Sequence, residues 1–294
     1  TSELETRAGE GRLIFTAIDE EGAPIEGGWT IIFEYHLAVT KTKTLRDWAH
    51  SWHTLGAIDV VDASFPGVLQ QVTMEFTHKL DSERRTVHLA QLRTSEAAFG
   101  EGREFRQFQL VDNRLNPSAL TLTPAPAFSA KRSAENRILA EFVHRQDKLI
   151  RSGIHCVPLQ VADGEKDRPL VGGSALIPAD QPDFHWDLGP RVSRDARRVF
   201  SLNTCNGCHA GETGCRDGLH VHPRLAGEAA RTSDFLRLDG KTLRLNDPNV
   251  RGSKIEYREM ADRAAIFAAL LEPKDRAMIE ALRPILRERL ERTH

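Results

Sequence analysis

The sequence predicts an α+β protein in two parts: a mixed strand and helix domain over residues 1–190, and a mostly α-helical domain over 191–294. Three observations carry that expectation. Up to about residue 190, runs rich in Ile, Phe, Val, Thr and Tyr are interspersed with amphipathic helical stretches. A proline-bearing segment from Pro178 to Pro190 then breaks the pattern, as a linker would. Beyond it the chain offers helical periodicity, a Gly-rich polar stretch, and little that reads as sheet.

Taken in order, 13–18 and 29–39 read as strands around a loop at Glu20-Glu21-Gly22-Ala23-Pro24. Thr44 opens a helix, with Asp47 completing a capping pair and Leu45, Trp48, Ala49, Trp52 and Leu55 on one face. A second helix begins near Ser64-Phe65-Pro66, with Val68, Leu69, Val72 and Phe76 as its apolar stripe. Strands are expected at 87–92, 104–111 and 119–123, with a turn over 113–117. A long helix over 133–151 buries Ile138, Leu139, Phe142, Val143, Leu149 and Ile150, and Gly153 ends it. Ser193 caps a helix over 194–200. Leu243 and Leu245 mark a short strand, and helices over 258–271 and 275–290 flank Pro273. The second of these carries an apolar stripe of Met278, Ile279, Leu282, Ile285, Leu286 and Leu290.

Composition narrows the function classes. Forty basic and 42 acidic residues give a net charge of −2, which argues against a nucleic-acid protein and supplies no polybasic membrane anchor. No run approaches the roughly 18 apolar residues of a membrane span. No nucleophile-elbow or phosphate-binding glycine loop is present, so neither a hydrolase nor a nucleotide enzyme is indicated.

The segment that dictates a chemistry is Cys205-Asn206-Gly207-Cys208-His209. Two thiols three positions apart on one helical turn can each bond a porphyrin vinyl group, and the next residue presents an imidazole to iron. Cys205 and Cys208 are therefore expected to hold one covalent haem c, with His209 as proximal ligand. Zinc or a redox dithiol has no special use for a histidine at that place.

A helix running into this motif, loops after it and a closing helix from 258 together resemble a class I cytochrome c domain. The resemblance covers about the last third of the chain, and C-x-x-C-H is its one specific element. It implies a haem domain in which the last helix packs across the first, and one-electron transfer as the activity. Over its whole length the chain is similar to a group of uncharacterised secreted bacterial proteins. They share a strand like Leu92-Arg93-Thr94 and a lead-in like Phe200-Ser201-Leu202-Asn203-Thr204-Cys205. Export to the periplasm or outside the cell follows as an expectation, with a leader removed from the chain that starts at Thr1. The expected partner is a redox protein or a neighbouring subunit, without nucleic acid or a membrane span.

The sixth ligand decides between electron transfer and an open, peroxidase-like haem enzyme. His220 is the favoured distal candidate, with Pro223 stiffening the turn after it; His222 and Met260 are the alternatives, Met260 reading better as core. A zinc-stapled structural protein is the third possibility, through Cys205, Cys208, Cys215 and His220. Phe184-His185-Trp186 reads as a haem-edge contact or a plug between the two parts. Trp48 and Trp52 read as core rather than as a site with His50 and His53. With two cysteines consumed by haem, Cys156 and Cys215 are expected to form a disulfide, closing a loop of about 60 residues for roughly 4 kcal/mol.

Overall fold

The computed structural model describes residues 7–25, 29–39, 44–77, 89–97, 102–164, 166–222, 231–237 and 241–271. The first half is built on an antiparallel sheet in the order β1 (Arg7–Thr16), β2 (Thr30–Ala38), β3 (Leu89–Ala97), β4 (Gly102–Val111) and β5 (Arg114–Ser118). β4 has two neighbours on its outer side. Its second half pairs with β5, and its first half, Gly102 to Arg106, pairs with β8 (Ser174–Pro178). Asp112 and Asn113 join β4 to β5 with φ of 51° and 61°, the two positive angles that a tight two-residue hairpin needs. That turn and the strand after it fall a few residues earlier than the sequence predicts.

Strand alternation gives the sheet two unlike faces. Leu13, Tyr35 and Leu37 point one way and meet Trp48 and Phe76 from α1 (Leu45–Gly56) and α2 (Phe65–Thr77). Phe76 lies between three rings, 5.7 Å from Tyr35 and 6.3 Å from both Trp48 and Trp52. Burying such a ring stabilises the fold by about 2 kcal/mol. Both halves of the expected capping box at Thr44 and Asp47 are present. The opposite face carries Arg12, Glu34, Arg93, Ser95, Phe105 and Gln107, and it faces the C-x-x-C-H turn.

The helix expected over 133–151 is two, α3 (Ala134–Arg145) and α4 (Asp147–Arg151), broken at Gln146. Ser133 caps α3 by accepting from Asn136 N–H at 2.9 Å. After a hairpin of β6 (Gln160–Asp163) and β7 (Lys166–Pro169) come β8, α5 (Arg194–Leu202) and α6 (Cys205–Cys208). A second hairpin of β9 (Leu243–Asn246) and β10 (Lys254–Tyr257) leads into α7 (Glu259–Leu271).

The mostly α-helical second domain is not what forms. Among the described residues from 191 onward, the helices are 9, 4 and 13 residues long and share the region with the β9–β10 hairpin and extended loops. The physical reason is the run between them, where Gly, Asp and Asn favour turns over helix and Leu243 and Leu245 pair across β10. Residues 178–190 do not separate two cores either. One cluster unites Phe105, Leu139, Val143, Leu170 and Ile177 with Phe184, Trp186, Leu188, Ala196, Phe200, Cys205 and Ala210. Nor does the last described helix cross the helix that feeds the motif: α7 packs Ile266, Phe267 and Leu270 on Leu45 and Ala49 of α1. Residues 275–290 and their apolar stripe lie outside the described residues. No helix among the described residues is long and apolar enough to cross a membrane.

Candidate functional site

The C-x-x-C-H turn is shaped by the residue before it. Thr204, fully buried, accepts at Oγ1 from Gly207 N–H (3.2 Å) and from the indole N–H of Trp186 (2.9 Å), and donates to the Ser201 carbonyl (2.8 Å). This is a helix N-cap that also satisfies a buried tryptophan. The Cys205 N–H donates to Thr123 Oγ1 at 3.0 Å, fastening the turn to the segment after β5. Cys205 and Cys208 therefore lie on one short helix, 4% and 8% exposed. Burial pushes both thiols well above their ordinary pKa, so they stay protonated at neutral pH.

His209 follows directly as the cap of that helix. Its Nδ1 lies 2.9 Å from the Gly218 carbonyl. A carbonyl only accepts, so Nδ1 carries the proton and Nε2 keeps its lone pair. Gly218 makes this possible: with φ of +74°, a Cβ there would stand 2.3 Å from Cδ of Arg103. The ring packs on Phe105, 4.9 Å between centroids. Burial, with His220, Arg103 and Arg93 adding to it against the opposing Gly218 bond, depresses the His209 pKa to about 3. A neutral imidazole with one nitrogen anchored and the other free is what a metal ligand requires.

His220 is brought beside His209 rather than opposite it. The ring centroids are 4.6 Å apart. Both His220 nitrogens are also committed. Nε2 lies 3.0 Å from the Cys208 carbonyl and 3.6 Å from the Cys208 sulfur, and Nδ1 lies 2.8 Å from Ser233 Oγ. Nε2–H therefore donates to the carbonyl while Nδ1 accepts from the serine. To serve as distal ligand, His220 would have to leave the Cys208 carbonyl and Ser233. His222 is engaged by Asp217 at 3.4 Å and Arg231 at 3.3 Å, and Met260 is half-buried in the first turn of α7.

The expected Cys156–Cys215 disulfide is also absent: both are free thiols. Cys156 stands exposed after α4, while Cys215 is buried in the loop past the motif, 3.7 Å from Asp217 Oδ1. Burial, and then the Asp217 carboxylate, push the Cys215 thiol up to about 12. Cys205, Cys208, Cys215 and His220 do not converge as a zinc set. Cys205 packs into the main core while Cys208 meets His220, and among the described residues no three His, Cys, Asp or Glu groups close on one point. Phe184 and Trp186 sit inside the shared core rather than at a boundary between two parts.

Two polar features at the site went unread in the sequence. On the sheet beneath Cys205, the buried Glu34 carboxylate is approached by Arg12 Nε at 3.1 Å, Arg93 Nε at 3.6 Å, and the Gln91 amide. Behind the turn, Arg197 of α5 and Glu212 form a buried bidentate pair. The signal for the first was charge at core-facing positions of alternating strands. For the second there was only a charged residue on each arm of the motif.

Comparison with protein-family models, with curated proteins and with solved structures finds no match for this chain.

The thiol geometry gives a direct count. In the native haem-free chain, a bulky maleimide is expected to label Cys156 first, leaving Cys205, Cys208 and Cys215 slow. After denaturation without reductant, a haem-carrying chain should show two reactive thiols and a haem-free chain four. Any unlabelled pair beyond the haem cysteines would restore the disulfide.

Proposed function

We propose that this chain is an exported monohaem c-type cytochrome that carries out one-electron transfer. Cys205 and Cys208 would hold the haem covalently and His209 Nε2 would bind its iron. The observation that carries the reading is the tautomer of His209, fixed by the Gly218 carbonyl at the end of the Cys205–Cys208 helix. The haem supplies the redox chemistry when bound. The chain's own residues hold the His209 proton on Nδ1, make the ring a better donor through that hydrogen bond, and cover it with Phe105. Export belongs to the proposal because c-type haem is attached outside the cytoplasm, and another redox protein or subunit is the partner it calls for.

A second reading, a haem enzyme with an open distal side, is favoured by the two committed nitrogens of His220. Expression with a cytochrome c maturation system tests both. Intact mass under denaturing conditions is expected to show the polypeptide plus one haem. An unmodified mass from a competent host sinks the cytochrome reading, and a colourless protein holding zinc returns the structural alternative. In the haem-loaded protein, a low-spin reduced spectrum supports electron transfer and a high-spin one supports the enzyme.

A further inference from the structure

The arms on either side of the C-x-x-C-H turn are tied by charges in a place where charge is costly. Arg197 lies eight residues before Cys205, and Glu212 lies three residues after His209. They are 4% and 1% exposed. Arg197 Nη1 donates to Glu212 Oε2 at 2.6 Å and Nη2 to Oε1 at 3.0 Å, a planar fork on a carboxylate that admits essentially one relative orientation. A buried pair like this contributes little net stability over apolar residues of the same size, so its worth lies in geometry.

Both members are held from further sides. Arg197 Nε reaches the Asn249 amide oxygen at 2.6 Å, with that amide turned so its oxygen faces the guanidinium. Asp247, bound to Arg194 at 2.5 Å, lies 4.0 Å from Arg197 Nη2. The Tyr257 hydroxyl donates to Glu212 Oε1 at 3.4 Å. The β9–β10 hairpin thus fixes where the Glu212 carboxylate can sit.

From Glu212 the constraint passes to the motif through one residue. Thr213 Oγ1 donates to the Cys208 carbonyl at 2.5 Å. That carbonyl belongs to the peptide that begins His209. The same loop is closed by Cys215 N–H on the Ala210 carbonyl at 3.0 Å and runs on to Gly218, the acceptor for His209 Nδ1. We infer that Arg197 and Glu212 are positioning residues that set the orientation of the His209 imidazole by clamping the two arms of the attachment turn. This inference rests on the cytochrome reading for its use, though the clamp itself is a property of the haem-free chain.

The test compares Arg197→Met, the apolar pair Arg197→Met/Glu212→Met, and Arg197→Lys, reading urea stability together with the His209 tautomer by long-range 1H–15N NMR on haem-free protein. Wild type should show a single Nδ1-protonated His209. Arg197→Met should lose stability, and the double variant should recover most of it yet show His209 as a mixture of tautomers. A double variant that regains stability with the single tautomer intact overturns the inference, since the pair would then be structural only. If the double variant does not fold, Arg197→Lys decides the matter: it keeps the charge without the fork, and an unchanged tautomer overturns the inference. Wild-type protein without haem from a competent host counts against the cytochrome reading alone, because the tautomer still reports on the clamp.

Discussion

Gly207→Ala is expected to lower the unfolding free energy by about 3 kcal/mol, the upper end for forcing a methyl into packed space. An added Cβ would lie 2.3 Å from the Ser201 carbonyl oxygen and 2.6 Å from Thr204 Oγ1. Neither can yield cheaply. The carbonyl already accepts from Thr204 Oγ1, and the threonine oxygen caps the turn and holds Trp186. Relief therefore requires α5 and α6 to part, which disturbs both cysteines. Gly56→Ala, with nothing within 4 Å of its Cβ, is the matched control and should be near neutral. Urea titration of both variants checks this; equal midpoints would mean that the turn is not as tightly built as described.

Phe200→Ala is expected to cost about 4 kcal/mol, in the range for deleting a buried aromatic side chain. Phe200 is fully buried, its ring 6.1 Å from that of Trp186 and 6.0 Å from His155. The more telling outcome is the shape of the transition. Because Phe200 sits in the same cluster as Leu139 and Phe105, far-ultraviolet circular dichroism and tryptophan fluorescence should shift together. Two separate transitions, one unmoved by the substitution, would restore the division at residue 190.

The local chemistry of the chain was largely legible in its sequence. The Thr44–Asp47 box, the Ser193 cap and the stripes of α1 and α2 depend on neighbours a few positions away, and each is found. Local pattern does not extend to layout. A helix leading into C-x-x-C-H suggested a separate helical domain, yet Ala196, Phe200 and Cys205 find their apolar partners on β4, α3 and β8. Nothing in a sequence fixes which of several apolar surfaces a short helix will cover. The site divides in the same way. The spacing of Cys205, Cys208 and His209 was visible, while the partners of His209 and His220 were not. Gly218 contributes a backbone oxygen and Ser233 a hydroxyl thirteen residues from His220, and neither residue type announces that role.

One long-range closure bears on when the molecule can be completed. Arg46 at the start of α1 donates to the carbonyl of Leu271 at the end of α7, 225 positions further along the chain, and the two helices pack face to face. Contacts of such separation form late, because the loop-closure entropy must be met before the packing repays it. The β9–β10 hairpin that holds Glu212 and Arg197 also lies downstream of the motif. A chain emerging in order from its amino terminus therefore leaves the Leu45 and Ala49 face of α1 uncovered until Leu270 has followed it.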